Sequence, residues 1–457
     1  MENFKSFITE AKNDEKYRIV VISAEYGEKA VTAERMKEEA DKLKYPIYIV
    51  PMDGTYIKFK DGIRTIHKVN DEKGFEIHIK DTVIFARGTP ERDSWLDLIS
   101  QLERAGYCVV NSRDCLELSA DKYRTYLRLI DFGLTQPKTV LVPNENSIEK
   151  SFENLDTKFP IILKTLRGSK GIGVIFVESE RSLTSLVQLL FKRDDSTDIL
   201  IQEYKKTDFD VRVLVLGGKI IATMQRDVLE GDFRSNYSQG AKVKTYNLSE
   251  LEIEQCILAA KAVSGLFTAI DFIPSEDPES KPPYILEVNN SPGTEGVEEA
   301  NKKNIVKEII TYFNDPELRY TVPAECGFLE VLNIKPFGSI ISKFDTGNSS
   351  LSVIHGEDIE LKGKMVYWTL FDKRIKRPLV RITKVNLGGL RDYSEERYVV
   401  KLDIEFLGTK YEDIEFTVDD RKNRTRILLN RDVMRKMNVI VNPQRKFLIT
   451  TKISLDI

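Results

Sequence analysis

Short apolar runs separated by amphipathic stretches open the chain. Tyr17–Ile22, Pro46–Val50 and Thr82–Ala86 are almost wholly apolar, which is typical of strands that are buried on both faces. The helical stretches KAVTAERMKEEADKL and DSWLDLISQLERAG follow the first and the third of these runs. Strands that alternate with helices predict a small parallel α/β domain in residues 1–111.

The alternation continues in residues 112–314, where runs such as PIILK, GVIFVE and ILIQEY are separated by helical stretches. At residues 315–327 the composition shifts to proline and polar residues, which predicts a linker. Residues 328–457 then predict an all-β domain from one strand-like run after another. These runs are FLEVLNI, GSIISKF, MVYWTLF, LVRITKV, RYVVKLDIEF, DIEFTVD, RILLN and KFLITTKI. The predicted fold class is α/β plus all-β.

Chain length, net charge and cysteine content indicate the number of domains, the kind of ligand and the cellular setting. A chain of 457 residues suggests two to four domains, at roughly 100–200 residues per domain. With 69 Lys and Arg against 72 Asp and Glu, the net charge is −3 and a broad nucleic-acid-binding surface is not expected. Four cysteines without a C-x-x-C pair predict a reducing, cytoplasmic setting. We expect no membrane segment, because no apolar run reaches the length of about 18–20 residues that a span requires.

The segment PIILKTLRGSKGIGV, residues Pro160–Val174, contains a glycine-rich loop between two predicted strands. Glycines allow backbone N–H groups to approach phosphate oxygens closely, and Lys164 would add a positive charge. The candidate loop residues are Gly168, Ser169, Gly171 and Gly173. A simple β-hairpin with a glycine turn is an equally good interpretation of this segment by itself.

Carboxylates interrupt two apolar runs further along the chain. Asp271 lies in FTAIDFI, and Glu287 and Asn289 lie two residues apart in YILEVNNSPGTEG, so they share one face of a strand. An unpaired carboxylate is costly in such a setting. Oxygen ligands of this kind suit Mg²⁺, so we interpret the three residues as metal ligands rather than as surface turn residues.

Two further segments carry polar chemistry. The strand ILIQEY ends with Gln202, Glu203 and Tyr204, whose backbone groups could recognise an adenine edge; alone it would be taken for an ordinary edge strand. The segment MQRDVLEGDFRSN places Arg226 and Arg234 around a glycine, beside Asn236. Arginine binds phosphate and carboxylate with two donors at once, although a solvated charged loop would have the same composition.

The order of these features resembles that of ATP-grasp enzymes, and the chain resembles the RimK family closely from about Asn111 to Phe313. The resembling stretches are SADKYRTYLRL, ILKTLRGSKGIGV, ILIQEY, DFDVRVLV, EGDFRSN, AIDFI and LEVNNSPGTEG. The resemblance implies a pre-ATP-grasp α/β domain followed by an ATP-grasp domain. The nucleotide-binding residues it implies are Lys122, Lys164, Gly168, Ser169, Gly171, Gly173, Gln202, Glu203, Tyr204, Asp210 (near the ribose) and Asn236. The catalytic residues it implies are Arg226 and Arg234, and the metal ligands are Asp271, Glu287 and Asn289.

The resemblance also implies a reaction and its substrates. A carboxylate would attack the γ-phosphate of ATP, with Mg²⁺ (or Mn²⁺ as a substitute), and an amine would then attack the resulting acyl-phosphate. The family joins glutamate or a similar amino acid to a peptide or protein acceptor. A small-molecule substrate is an open alternative, for which Arg87 is a candidate carboxylate contact.

The C-terminal half has a different signature. In GSIISKFDTGNSSL an apolar strand leads to Asp345, Thr346 and Gly347, and RILLNRDVM near the end pairs apolar residues with Asn-Arg-Asp. Both resemble retropepsin-like domains, especially the RimB type, with Asn430 where glycine is usual. The resemblance implies a β-barrel aspartic protease with Asp345 as its catalytic residue.

A working aspartic protease needs two such aspartates, and this chain has one Asp-Thr-Gly. We therefore expect a homodimer or a higher even-numbered oligomer. An Asx turn would explain the tripeptide alone. A non-catalytic binding or dimerisation module is the alternative function. A zinc protease is disfavoured, because His355 is the only histidine in this half.

Overall fold

The structure is a computed structural model. It describes residues 16–24, 30–60, 63–88, 92–166, 173–193, 198–228, 242–319, 323–386, 394–407, 409–421 and 424–450. The chain divides into two compact units, Met1–Thr321 and Val322–Ile457. No helix in these described ranges is long and apolar enough to cross a membrane.

The first unit begins with a parallel sheet flanked by helices. Its elements are β1 (Arg18–Ser23), α1 (Val31–Leu43), β2 (Ile47–Pro51), β3 (Tyr56–Lys60), β4 (Ile63–His67), β5 (Phe75–Ile77), β6 (Thr82–Arg87), α2 (Asp93–Arg104) and β7 (Cys108–Val110). The strands β2-β1-β6-β7 pair in that order and are parallel, as the sequence predicts. A separate antiparallel sheet, β3-β4-β5, was not predicted.

The rest of this unit contains two antiparallel sheets. Its elements are α3 (Arg113–Ser119), α4 (Lys122–Asp131), β8 (Thr139–Val142), α5 (Ile148–Leu155), β9 (Ile161–Thr165), β10 (Val174–Val177), α6 (Glu180–Arg193), β11 (Ile199–Glu203), β12 (Phe209–Leu216), β13 (Lys219–Asp227), β14 (Val243–Lys244), α7 (Glu250–Ala262), β15 (Phe267–Ile273), β16 (Tyr284–Asn289), α8 (Glu295–Asn301) and α9 (Ile305–Tyr312). The sheet orders are β10-β9-β11-β8 and β14-β13-β12-β15-β16.

The run VRVLVLGGKIIATMQ forms the hairpin β12–β13 and turns at its two glycines. Gly217 and Gly218 have φ of +58° and +74°, which residues with a Cβ rarely adopt. A Cβ added at Gly217 would also collide with the Tyr312 hydroxyl oxygen, at 1.8 Å. The turn therefore requires glycine for both its backbone conformation and its packing.

One face of strand β12 is apolar along its whole length, and the other changes from charged to apolar residues. The first face consists of Val211, Val213 and Val215, which pack in a core with residues of α7 and β15. On the opposite face Leu214 and Leu216 join a core with the N-terminal parallel sheet. Asp210 and Arg212 share that second face by alternation but lie outside the core. The strand thus carries charged side chains at one end and apolar contacts at the other.

The second unit is mainly β. Its elements are β17 (Ala324–Ile334), β18 (Gly338–Phe344), β19 (Ser352–His355), β20 (Glu357–Lys362), β21 (Met365–Leu370), β22 (Lys373–Pro378), β23 (Arg381–Asn386), β24 (Ser394–Phe406), β25 (Thr409–Asp419), β26 (Ile427–Leu429), α10 (Arg431–Lys436) and β27 (Val439–Lys446). The larger sheet has the order β23-β24-β25-β19-β26-β18-β17-β27, with an added β24–β17 pairing, and β20-β21-β22 form a smaller sheet.

Three details differ from the sequence prediction. Strand β17 already begins at Ala324, inside the segment predicted as linker. The predicted all-β domain contains the helix α10, because the Asn430 side chain accepts the Val433 N–H and caps a helix directly after β26. The run KFLITTKI was predicted as a strand, but Lys446 is the last residue of β27 and residues 447–450, the rest of its described part, form none.

A buried carboxylate explains why that last segment is not a strand. Glu330, which has no solvent exposure, accepts the backbone N–H groups of Leu448 (2.8 Å) and Thr450 (3.0 Å). It also accepts the Gly327 N–H at 2.6 Å and the Thr450 hydroxyl. The donors that a neighbouring strand would use are therefore bound to one side chain, which joins the start and the end of this unit.

We expect Glu330→Ala to destabilise the second unit by about 3 kcal/mol, because one buried and three partly buried N–H groups lose their acceptor, at about 1–3 kcal/mol for a fully buried group. Hydrogen exchange of peptides covering residues 439–450 should accelerate. The control is Glu325→Ala on the same strand, an exposed residue that accepts only the Asn442 side-chain N–H at 2.7 Å among the described residues. Equal exchange in the two variants would contradict this role of Glu330.

Candidate functional site

A row of charged side chains crosses one face of the sheet β14-β13-β12-β15-β16, with cations beside carboxylates on β13, β12 and β15 and a further carboxylate on β16. Strand register places Arg226 opposite Asp210, Arg212 opposite Asp271, and Asp271 opposite Glu287. Each cation therefore faces a carboxylate on the adjacent strand. We call this row of five side chains, Arg226, Asp210, Arg212, Asp271 and Glu287, the charge ladder.

The contacts of the charge ladder are bidentate. Arg226 donates through Nε and Nη2 to the two carboxylate oxygens of Asp210, both at 2.7 Å. Arg212 donates in the same way to Asp271, at 2.7 and 2.6 Å. Nη2 of Arg226 also lies 3.1 Å from Asp271 Oδ2, which links the two pairs. The Arg226 side chain is only 4% exposed, so its position is fixed by these partners.

Burial and charge compete in this cluster. Burial would raise the pKa of Asp271, but the charges of Arg212 and Arg226 outweigh it and hold the pKa well below its usual range. Burial likewise lowers the pKa of Arg226, while Asp271 and Asp210 raise it to a net value above the ordinary one. Asp271 is therefore an anion and Arg226 a cation throughout the working pH range.

The three predicted metal ligands lie together. The Asn289 amide nitrogen is 3.1 Å from Glu287 Oε1 and 3.4 Å from Asp271 Oδ2. Rotation about the Cβ–Cγ bond would exchange the two ends of this amide and present its oxygen to the same point. Two carboxylates and one amide oxygen form a donor set that suits Mg²⁺. Among the described residues there is no group of three or more His, Cys, Asp and Glu side chains that could hold a metal.

Two lysines approach this cluster from other elements. Lys164 lies on β9 opposite Val174 of β10, and Lys122 begins α4 and reaches the Leu166 carbonyl at 3.4 Å. Burial lowers the pKa of Lys164 to about 8, partly opposed by the negative charge of Glu287. Burial also lowers the pKa of Lys122, which Glu287 again opposes. Both ammonium groups are thus desolvated near the carboxylates.

At the strand end predicted to hold adenine, some of the hydrogen-bonding groups already have partners within the protein. Gln202 is buried, and its amide donates to the Thr139 hydroxyl at 2.8 Å. The Glu203 N–H donates to the Lys138 carbonyl at 2.8 Å, so that donor is already used. The Tyr204 ring packs edge-on against Phe176, with ring centroids 5.0 Å apart. Adenine binding by this segment stays a prediction.

Several predicted residues fall outside the described part of the chain. They are Gly168, Ser169, Gly171, Arg234 and Asn236. Gly173 is described, at φ +85°, where a Cβ would lie 2.3 Å from the Thr165 hydroxyl oxygen. Asp210, predicted near the ribose, has both carboxylate oxygens directed at Arg226. This contact supports a role in positioning Arg226, and the ribose contact stays a prediction.

Two residues hold the strands of the predicted metal ligands to the N-terminal sheet, a role that the sequence did not indicate for either of them. Buried Asn111 donates to the carbonyls of Phe267 (2.6 Å) and Asn290 (2.7 Å) and accepts the Phe267 N–H. Arg87, considered as a substrate contact, donates to the Pro292 carbonyl at 2.7 Å. The only signal in the sequence is that both residues directly follow or end apolar strands.

In the second unit, Asp345 directly follows β18. Its Oδ1 accepts the Gly347 N–H at 3.1 Å, and its Oδ2 lies 3.4 Å from the Lys343 ammonium. The Asp345 N–H donates to the Leu429 carbonyl at 3.2 Å, because β18 and β26 run parallel. The Asp-Thr-Gly turn and the RILLNRDVM segment, which are far apart in sequence, are therefore in contact.

Asn430 does not need the conformational freedom of the glycine usual at its position. Its φ is −92° and its ψ is 170°, which is ordinary extended backbone. Its side chain accepts the Ser352 hydroxyl at 3.1 Å and donates to the Ser350 carbonyl at 2.5 Å. Asparagine therefore fastens the loop after the Asp-Thr-Gly turn while it caps α10.

Two family models match the chain. The RimK-like ATP-grasp domain matches residues 119–313, and the retropepsin-like aspartic endopeptidase RimB matches residues 330–452. The two matches cover the charge ladder and the Asp-Thr-Gly turn respectively. The match to the first model confirms the predicted ATP-grasp fold.

Individual relatives agree with the first match. A "Probable alpha-L-glutamate ligase" of Coxiella burnetii is 31% identical over 283 residues, 62% of this chain and 90% of the relative. A protein of the same name from Psychromonas ingrahamii is 29% identical over 297 residues, 65% and 94% of the two chains. The ATP-grasp ligase PsnB, in complex with a minimal precursor, is a structural neighbour with 17% identity and a TM-score of 0.49, covering 67% of this chain and 100% of that one.

Proposed function

We propose a function for this chain, which belongs to the RimK-like family of ATP-grasp ligases and also carries a RimB-like domain. The chain is an ATP-grasp ligase. The finer proposal is that it joins glutamate, or a similar amino acid, to the C-terminus of a peptide or protein. The second unit would then trim the product.

The charge ladder is the observation that carries the ligase proposal. Arg226 is held by Asp210 and Asp271, so its guanidinium is already oriented before any substrate binds. Such preorganised cations stabilise charge that develops on a transferring phosphoryl group, because they need no reorganisation during the reaction. Lys122 and Lys164 would bind phosphate oxygens beside it.

The residues also fit Mg²⁺. Asp271, Glu287 and Asn289 converge within hydrogen-bond distance of one another, which is the donor set that this ion prefers. When bound, Mg²⁺ supplies neutralisation of phosphate charge. The chain's own part is to hold these ligands in place, and the cross-strand contacts of Arg212 to Asp271 do so.

The proposed reaction has two steps. A carboxylate oxygen of the acceptor attacks the γ-phosphorus of ATP, the bond to the β-phosphate oxygen breaks, and ADP leaves. The amine of the incoming amino acid then attacks the acyl-phosphate carbonyl, loses a proton, and inorganic phosphate leaves. The protein contributes alignment of the reactants and electrostatic stabilisation.

The amino acid and acceptor are proposed from the relatives. Their name, alpha-L-glutamate ligase, supports glutamate as the amino acid, and membership of the RimK-like family supports a peptide or protein acceptor. A ligase for a small-molecule acid would use the same ladder. The two cases differ only in which acceptor gives product.

The test is incubation of the purified full-length protein with ATP, Mg²⁺, glutamate and a panel of peptide acceptors. We expect ADP, phosphate and products whose masses increase by successive glutamate residues. Lys164→Ala should abolish them, and Lys158→Ala, which changes an exposed lysine just before β9, should not. Product from a small-molecule acid alone would exclude the peptide proposal.

The pKa of Lys164 predicts how nucleotide affinity depends on pH. Since its pKa is about 8 in the free protein, the ammonium is present below pH 8 and is lost above it. The Kd for a non-hydrolysable ATP analogue should therefore increase about tenfold per pH unit above 8, with proton uptake on binding. Calorimetry in buffers of different ionisation enthalpy measures both effects.

Lys164→Arg is the control for that titration, because a guanidinium stays charged far above this range. Its Kd should change less between pH 7 and 10 than the wild-type Kd, because only Lys122 of the two lysines still titrates. A wild-type Kd with the same pH dependence as this variant would show that Lys164 does not contact the phosphates.

For the second unit we propose a retropepsin-like barrel with aspartic protease activity. The contact between the Asp-Thr-Gly turn and β26 supports this proposal. One Asp345 per chain means that a second copy must supply the other carboxylate, since the two share a proton that activates water. An even-numbered assembly is part of the proposal, and sedimentation would measure it.

A further inference from the structure

Strand β22 concentrates positive charge on the second unit. Its sequence, KRIKRP, has four cations in six residues: Lys373, Arg374, Lys376 and Arg377. Arg374 is paired with Glu360, at 2.8 Å. Among the described residues, no Asp or Glu forms an ion pair with the other three. Uncompensated charge of this density favours a ligand of opposite sign.

The backbone of β22 is open on one side. It pairs only with β21 in the described part of the chain, because the sheet order is β20-β21-β22. Its outer edge therefore presents N–H and C=O groups to which an extended peptide could add as a further strand. Such addition gives affinity through the main chain and selectivity through the side chains.

The cations occupy both faces of this edge. The register with β21 places Arg374 and Lys376 on the face of Thr369 and Tyr367. Lys373 and Arg377 lie opposite Leu370 and Val366, on the other face. The side chains of an added strand alternate between the two faces. To place carboxylates beside the cations on both faces, a peptide must therefore be acidic at successive positions.

The positive charges on both faces of β22 exclude two other ligands from its open edge. A second copy of β22 would bring equal charges into opposition, which destabilises strand pairing. An apolar peptide would leave the cations without partners. Opposite charge at every position is the property of an oligoglutamate chain, which is the product of the proposed ligase reaction.

We propose that β22 is a docking strand for α-linked oligoglutamate, which adds to the edge of β20-β21-β22 and is thereby held at the unit that trims it. This inference rests on the proposed function for the origin of the peptide, but binding itself can be measured without any ligase activity.

The test is fluorescence anisotropy of a fluorescein-labelled α-linked hexaglutamate with full-length protein, without ATP. All proteins carry Asp345→Asn so that the probe is not cleaved. The triple variant Lys373→Glu, Lys376→Glu and Arg377→Glu should bind at least about tenfold more weakly, because three favourable charge contacts become repulsive. The matched control reverses Lys335, Lys410 and Lys436, which are exposed cations of the same unit, and should stay within about twofold.

Two further probes test the mode of binding. A γ-linked hexaglutamate has the same number of charges but cannot form a regular strand, so it should bind at least about tenfold more weakly. Equal affinity for the γ-linked peptide, or for a single-stranded oligonucleotide of equal charge, would overturn the proposal in favour of unspecific anion binding. Equal affinity of the two triple variants would also overturn it.

The ligase assay on the β22 variant separates this inference from the proposed function. Glutamate addition should continue at the wild-type rate, since β22 belongs to the other unit. If no protein adds glutamate, the proposed function fails while the anisotropy result still decides whether β22 binds the peptide.

Discussion

Arg226→Ala should reduce ATP-dependent turnover by about 10²–10³-fold, the loss that follows removal of one preorganised donor from a developing charge. The reduction should appear in kcat more than in KM, because Arg226 is proposed to act on charge that exists mainly in the transition state. ADP release with saturating substrates measures it.

The same substitution should also destabilise the first unit, by roughly 3–5 kcal/mol, since it removes one partner of a buried ion pair. Asp210 would be left with two oxygens that now face Arg226 at 2.7 Å. The double variant Asp210→Ala with Arg226→Ala should recover part of this stability but none of the activity. Activity must therefore be assayed below the unfolding temperature of each variant.

Arg226→Lys distinguishes charge from geometry. It keeps the positive charge but cannot form the bidentate contact with Asp210. We expect intermediate kcat in this variant. A folded Arg226→Ala protein with wild-type kcat would show that Arg226 only supports the sheet.

The second large effect is expected at Asp345. Asp345→Asn should lower peptide cleavage by about 10²–10⁴-fold, the usual contribution of a general acid–base group. With cleavage lost, the glutamate ladders made by the ligase should lengthen. Mass spectrometry of the products, and of a pre-made oligoglutamate substrate, measures both effects.

The local fold should survive this substitution, because an asparagine Oδ1 still accepts the Gly347 N–H. Asp413→Asn is a matched control: it changes an exposed aspartate of β25 that pairs with Lys401 at 3.7 Å. Unchanged cleavage in Asp345→Asn would favour the alternative that this domain is a non-catalytic binding module.

The proximity of several candidate site residues could be predicted because these polar residues interrupt apolar strands. Asp271 and Glu287 each lie in such a run, where a carboxylate requires a partner. Their proximity then follows from the pairing of β15 with β16, which the structure confirms. The parallel N-terminal sheet was predictable for a similar reason, since its strands are buried on both faces and read as continuous apolar runs.

The partner of Asp210 could not be predicted. Counting outward from the Gly217–Gly218 turn places Asp210 opposite Gln225, which would direct Arg226 to the other face. A bulge between Leu214 and Val215 shifts the register by one residue and pairs Asp210 with Arg226 instead. Nothing in the local sequence marks this bulge, so the charge ladder emerges only from the structure.

The prediction of a strand at residues 447–450, in the described part of the run KFLITTKI, was wrong for a different reason. The segment after β27 is rich in β-branched and apolar residues, as a strand would be. Its N–H groups nevertheless bind Glu330, which lies more than a hundred residues earlier. A long-range side-chain acceptor overrides local propensity, and periodicity alone cannot reveal it.

The contacts of Asn111 and Arg87 affect whether the N-terminal segment can be exchanged between related ligases. Arg87 ends a strand of the N-terminal sheet and Asn111 directly follows another, and both side chains donate to backbone carbonyls just after β16. The side-chain donors of these bonds thus come from the first 111 residues, and the acceptors are backbone groups that any sequence supplies. A chimera that exchanges the first 111 residues with a relative's should therefore keep these contacts when the relative also has arginine and asparagine at the positions of Arg87 and Asn111.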